Sequence, residues 1–430
     1  MKSILPLLLL SSASALCLAG DPERPPKLTL GKHVDYLKWY DEFVGKGRDP
    51  SQNAFDLYCK IWPVGEDVAH IEEFPEECRP CYSMPWNPRD FPETKTFLER
   101  NNRFLEYFRQ ASARPFYWRP RKADDHSLMA MLDPVGGNCR RASRSLIVQG
   151  WMRGEDQNEQ MLENWYSILA CTNHLIQDPP LITTLGGYAL RTLVYQQVRR
   201  AIRFEIIPSH EFGKAYRFLS KCAPPQLNLS QSIIYEWGAG LDGAQRNYEE
   251  KKNEADALSE QIKKWPSLTG MSPRVMIEDL DADFADMLGI LKKDVSLDAI
   301  SKIRKHDAGK DLKNHRHFLF SIVHPSLLRA CELSLRSETE RRGTLLVLAI
   351  HTHQHEFGSW PRGLADLKIK QLEAIRIDLY SEKDFIYKLS DKGPLLYSIG
   401  ADGKDDGGRH DAKWGEGKDG GDFVFWPVHD

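Results

Sequence analysis

A chain of 430 residues, 41% of them hydrophobic and 28% charged, with a formal net charge of −3, is long and apolar enough to bury a sizeable core, sufficient as a soft prior for two or three domains. So nearly balanced a charge excludes nucleic acid and an anionic membrane surface as principal partners, because each is met by a strongly basic chain.

The chain opens with "MKSILPLLLLSSASALCLAGD". Lys2 is a short basic n-region, Ile4 to Leu10 form an apolar run, and small residues near Ala15 and Ala19 suit cleavage, so a secretory signal peptide is expected over residues 1–20. Leu16 stands before Cys17, where a lipoprotein signal carries a small residue. The expected mature chain is exported (periplasmic, envelope-associated or extracellular) and has no transmembrane segment. With Cys17 removed, Cys59, Cys78, Cys81, Cys139, Cys171, Cys222 and Cys331 remain, too sparse for a disulfide scaffold. "CRPC" at Cys78–Cys81 is the one close pair: a redox or half-zinc motif on one reading, a local disulfide or two loop thiols on the other.

Residues 21–95 are rich in proline and aromatics, which interrupt long elements, and predict an irregular arm with one short helix over 35–44. From 96 to 334 the apolar spacing is helical and predicts an α-helical domain of stacked hairpins. "ETKTFLERNNRFLEYFRQAS" places Phe97, Leu98, Phe104, Leu105 and Phe108 on one stripe. Three more helices are expected in "NCRRASRSLIVQGWMRG", in "DQNEQMLENWYSILACTNHLI" with Asp156 as N-cap, and after Pro179 and Pro180. Residues 243–265 read as a charged, solvated helix braced by i,i+4 pairs. The last helix is expected to begin near Ser326, after Pro325, and to run to about Glu356, stopped by Gly358 and Pro361. "KDFIYKL" and "PLLYSIG" around "SDKG" predict a hairpin, and "DFVFWPV" a third strand. The expected fold is mostly α: a helical-hairpin body followed, over 335–430, by an α+β module with a long helix packed on a small antiparallel sheet.

Between the hairpin and the last strand, "GADGKDDGGRHDAKWGEGKDGGDFVF" crowds seven acidic residues and eight glycines into one loop. Repulsion and glycine entropy both oppose its folding. The ending "HEFGSWPRGLADL", "LLYSIGADGKDDGG" and "DGGDFVF" resembles the C-terminal globular domain of the major pseudopilin of type II secretion systems, as carried by bacterial exported proteins of unknown function. The resemblance covers about residues 335–430 and implies a structural Ca2+ in the loop. It carries the loop-opening aspartate onto Asp402 and the closing acidic pair onto Asp419 and Asp422, with Asp405, Asp406 and Asp411 in reserve. A divalent cation would neutralise these carboxylates while glycines turn backbone carbonyls inward, completing about 6–8 oxygens. An EF-hand is excluded, because Lys404 and Lys413 stand where that motif needs ligands.

The histidines His315, His317, His324, His351, His353 and His355 are candidates for a metal site. His351 and His355 have the i,i+4 spacing of zinc proteases, but "HEFGS" lacks the second histidine of H-E-x-x-H. Arg140, Arg141 and Arg144 read as arginines bridged to nearby carboxylates. The leading expectation is an exported, non-enzymatic scaffold or binding protein with a calcium-stabilised module, facing a protein partner or a cell-envelope component linked to type II secretion. The alternative is a secreted metal-dependent hydrolase built on the His315–His355 cluster.

Overall fold

The computed structural model describes residues 24–29, 31–61, 71–73, 75–121, 125–128, 135–154, 157–222, 229–253, 273–308, 318–416 and 419–429. The signal sequence, Asp156, His315, His317 and the second half of the charged helix expected over 243–265 lie outside them. The described residues form a mostly helical protein that ends in a small antiparallel sheet, the expected class.

In the arm, α1 (Tyr36–Gly45) starts where the Lys38 N–H donates to Asp35 Oδ1 at 2.9 Å, an N-cap that satisfies one orphan donor. A second short helix, α2 (Phe55–Cys59), was not foreseen. It brings Phe55 and Tyr58 into the main core, where Ile61, Cys81 and Trp86 join them. The arm is thus built into the core as well as wrapped around it.

The body follows as α3 (Pro92–Ser112), α4 (Val135–Trp151), α5 (Gln157–Gln177), α6 (Leu181–Arg203) and α7 (Phe212–Lys221). Phe97, Leu98, Phe104, Leu105 and Phe108 of α3 are all buried, as their spacing requires. Successive helices α4, α5 and α6 pack on one another as hairpins. Next come α8 (Ser230–Asn253), α9 (Pro273–Ile290) and α10 (Leu297–Ala308). Tyr36, Leu37, Tyr40 and Val44 of α1 share a second core with Ile233 and Leu241 of α8 and Leu280 and Phe284 of α9.

The longest element, α11, runs from Phe318 to Phe357. Its start differs from the expected Ser326, because the helix continues through Pro325. A proline inside a helix forfeits one backbone hydrogen bond and crowds the preceding turn, at about 3 kcal/mol. Here Phe320, before the proline, is buried against Phe284, His306 and His324, with ring centroids 5.4 to 5.8 Å apart, and this packing keeps the first turns helical. Near its start α11 supplies Leu327, Ala330, Cys331 and Leu335 to the second core, and further on Leu345 to Ile350 to the first. At 1.5 Å per residue, a helix of this length reaches about 60 Å, so one rigid element joins both cores. It ends as expected: the Gly358 N–H donates to Gln354 O at 2.9 Å with Gly358 at φ +69°.

A short helix, α12 (Leu372–Ile375), leads into two small sheets. Strands β1 (Ile377–Asp378) and β2 (Lys383–Asp384) pair with each other, and β3 (Ile386–Ser390), β4 (Gly393–Ser398) and β5 (Phe423–Trp426) form a meander in that order. The expected strand "KDFIYKL" therefore splits at Phe385, whose N–H donates to Arg376 O while its ring is buried against Phe425. The Ser390 to Gly393 turn closes the foreseen hairpin, and Phe423 and Phe425 pack the sheet onto α11. Among the described residues no helix is long and apolar enough to cross a membrane.

Candidate functional site

The glycine-rich acidic loop leaves β4 at Ser398 and returns into β5 at Phe423. Its exit is pinned by Asp378 of β1, buried at 1% exposure. Ser398 Oγ donates to Asp378 Oδ1 at 2.9 Å and Gly400 N–H to Ser398 Oγ at 3.2 Å. Burial pushes the Asp378 carboxyl up, opposed by its bonds from the Tyr380 N–H and Ser398.

Trp414 anchors the middle of the loop. Its ring, 2% exposed, stacks on Phe423 with centroids 3.9 Å apart, and Arg336 of α11 lies 5.5 Å above it. Its backbone is left-handed at φ +61°, unusual for a bulky residue, and its carbonyl accepts the Ala401 N–H at 2.7 Å. Glu416 then pairs with Arg336 at 3.0 Å and Arg329 at 3.7 Å, tying the loop to α11. Sequence reasoning passed over Trp414, although a lone aromatic among glycines and charges is a signal that the loop is packed.

The three aspartates carried over by resemblance, Asp402, Asp419 and Asp422, and the reserve residues Asp405 and Asp406 fall into distinct environments. Asp422 is fully buried, and Oδ2 and Oδ1 accept the N–H groups of Gly408 at 2.7 Å and Asp406 at 3.3 Å. Burial raises its pKa more than those bonds lower it, and the charges of Asp405 and Asp406 add to the rise. Asp405 is exposed and accepts from the Gly407 N–H at 2.9 Å and the Tyr397 hydroxyl at 2.8 Å, which hold its carboxyl below the usual range. Asp406 meets Arg409 at 3.3 Å. Asp419 is exposed and offers its carbonyl to the same arginine at 2.6 Å. Asp402 Oδ1 accepts the Lys404 N–H at 3.1 Å.

Two of these carboxylates converge. A Cβ on Gly420, which sits at φ +61°, would lie 2.5 Å from Asp402 Oδ2 and 3.7 Å from Asp406 Oδ2, so it is the missing side chain of this glycine that lets the two carboxylates approach the same turn. The reserve residue Asp411 is turned to its own strand of the loop, accepting the N–H groups of Lys413 and Gly415 at 2.9 and 2.8 Å. Among the described residues no three His, Cys, Asp or Glu side chains are grouped to hold one metal ion.

The histidines are dispersed. His351 is enclosed by Phe212, Trp360 and Trp426, and burial lowers its pKa to about 4. His355 is exposed, His353 packs its ring on Phe357, and His324 is buried with Nε2 3.4 Å from Ile303 O. Of the α4 arginines, Arg141 pairs with Glu73 at 2.7 Å, as the bridging reading expects.

Behind the sheet, Arg199 of α6 binds Glu340 Oε1 at 2.8 Å and Thr344 Oγ1 at 2.6 Å, and its guanidinium lies over the rings of Phe423 and Phe425. Body, long helix and last strand meet at this one buried cation. No family model, no curated protein and no solved structure matches the chain, so the pseudopilin resemblance rests on the loop and strand motifs themselves.

Proposed function

We propose that the protein is an exported, non-enzymatic scaffold or binding protein whose C-terminal module is locked by a structural calcium ion in the 400–422 loop. Its partner is a protein or a cell-envelope component of the type II secretion kind. The observation that carries the calcium reading is the approach of the Asp402 and Asp406 carboxylates to one glycine, Gly420. Asp402 and Asp406 would hold the ion, with Asp419 and Asp422 flanking the same glycine turn and Asp405 bracing it through Tyr397. Bound calcium supplies neutralising charge to the cluster. The buried Asp422 gains most, because its ionised form is penalised by burial and by its acidic neighbours.

Heat denaturation of the full mature chain with and without calcium tests this reading. Calcium at 100 times its dissociation constant should add about 2.7 kcal/mol, and so raise the melting temperature by a few degrees. Asp402→Asn should abolish the rise while leaving the calcium-free melting temperature close to wild type, since Asp402 is partly exposed and accepts one local backbone N–H. Asp422→Asn is a poorer test, because that carboxylate also caps two backbone donors. A melting temperature unmoved by calcium would reduce the loop to a hydrogen-bonded turn fastened by Trp414.

A further inference from the structure

Of the three α4 arginines expected to bridge to carboxylates, one does so. Arg141 holds Glu73, whereas Arg140 and Arg144, both exposed and one turn apart on α4, form no ion pair among the described residues. Like charges at that spacing work against a helix, so the fold itself gains nothing from this arrangement. Arg200 of α6 and Arg153, just beyond α4, are also without a carboxylate among the described residues. Glu205 is exposed nearby along the chain and pairs with none of them.

Tyr82 brings two of these cations together. It ends the 3-10 turn Pro80–Tyr82, which packs on α4, and α4 in turn packs on α6. Its hydroxyl is hydrogen-bonded to Arg144; burial pushes the phenol up to about 12, and the charges of Arg144 and Arg200 oppose that rise. The chain then runs on to the end of α4. The Trp86 N–H donates to Trp151 O at 3.0 Å and the Arg153 N–H to Trp86 O at 2.9 Å, so Met84 lies between Tyr82 and this backbone pairing. Trp151 continues the surface to α6: its indole N–H donates to Gln197 Oε1 at 2.8 Å, and its ring meets Phe204 edge-on with centroids 6.0 Å apart. Arg203 lies over the Phe204 ring at 5.8 Å. Met84 and Phe204 are 42% and 41% exposed, although both are large and apolar. Arginine, tyrosine, tryptophan, phenylalanine and methionine are the residue types enriched where proteins meet.

We propose that this face, formed by Arg144, Arg153 and Arg200 with Met84 and Phe204, docks a partner protein through an acidic segment that carries an apolar side chain. The guanidinium forks take carboxylates by parallel hydrogen bonds, and the partner's apolar side chain covers the two exposed ones. Charge complementarity selects an acidic partner, because these cations find no counter-charge among the described residues of their own fold. A lipid surface fits less well: more than half of Met84 and of Phe204 is packed into the protein, which leaves little apolar surface to enter a bilayer. Docking here rests on the binding role proposed above, but no residue of the face belongs to the 400–422 loop. A melting temperature unmoved by calcium would therefore leave the face standing, and failure to dock would leave the calcium site standing.

The probe is a labelled peptide in which glutamates flank a leucine, titrated with the full mature chain and followed by fluorescence anisotropy. Saturable binding is expected that weakens as salt rises from about 50 to 200 mM. The Arg144→Ala/Arg200→Ala variant should bind about tenfold more weakly with an unchanged melting temperature, and Phe204→Ser should lose the preference for the leucine peptide over one of glutamate alone. Arg274→Ala/Lys302→Ala removes the same charge from exposed pairs on α9 and α10 and should bind as wild type does. No saturable binding by wild type, or equal weakening by the two double variants, would overturn the proposal. So would binding to phosphatidylglycerol vesicles without binding to the peptide, or a salt-sensitive dimer in sedimentation that the Arg144→Ala/Arg200→Ala variant abolishes, since the occupant would then be lipid or a second copy of the chain. The wild-type titration decides the first point even if a variant fails to fold.

Discussion

His351 turns its ring into Phe212, Trp360 and Trp426, with centroids 5.5, 5.1 and 4.4 Å away, and the geometry leaves Nε2 buried without a hydrogen-bond partner. Its ordinary pKa of 6.5 falls to about 4 in the fold. A lowered histidine pKa means that the unfolded chain binds the proton first. Its stability contribution is complete above pH 6.5 and is lost as pH falls toward 4, by roughly 3 kcal/mol in all. His174 acts in the same direction. Its Nε2 lies 2.9 Å from Arg114 O, which can only accept, so Nε2 carries the proton and Nδ1 accepts from the Tyr58 hydroxyl at 3.0 Å. Its pKa too is lowered to about 4 by burial. Melting temperatures of wild type and His351→Gln should therefore converge as pH drops from about 7 to 4, since glutamine does not titrate. Parallel pH profiles would show that the cage does not govern acid stability.

At the level of elements, two glycines inside helices answer oppositely to the same substitution. Gly343 of α11 faces β5 so closely that a Cβ would stand 2.5 Å from two ring atoms of Phe425. Gly186 of α6 has nothing within 4 Å of that position. Alanine is the better helix former by about 1 kcal/mol, and Gly186→Ala should gain up to that amount. Gly343→Ala should instead lose about 1–3 kcal/mol, because the sheet must shift off the helix or the ring leave its rotamer. Chemical denaturation of both variants checks the pair of signs. The closeness at Gly343 also explains why β5 can reach Arg199 beneath the helix. A larger side chain there would hold Phe425 away from the guanidinium that it covers.

For the molecule as a whole, α11 decides how the parts unfold. The boundary expected between residues 334 and 335 falls inside this helix, which packs Leu327 to Leu335 in one core and Leu345 to Ile350 in the other. Breaking the helix between them would strip both cores of a wall. Arg199 adds a second link, since removing it would leave Glu340 buried without its cation, at about 3–5 kcal/mol. Denaturation followed by far-ultraviolet circular dichroism and by tryptophan fluorescence should therefore give coincident, single transitions. Two separated transitions would mean that the sheet and its loop unfold apart from the body.

The local signals were strong enough to read in the chain itself. The stripe Phe97–Phe108, the stop at Gly358 and the two-residue turn after Ser390 each depend on neighbours a few positions away, and each stands as expected. The sequence also marked the acidic loop as a segment whose charges need a counterpart. Only the tertiary structure decided that Pro325 lies within a helix, that Trp414 is the loop's buried anchor, and that Asp402 and Asp406 approach one glycine while Asp422 accepts two backbone donors. The physical reason is the same in each case. Helix periodicity and turn chemistry are local energies, whereas a proline tolerated by packing, a strained tryptophan and two carboxylates brought to one glycine arise from contacts between residues distant along the chain or opposed across a loop.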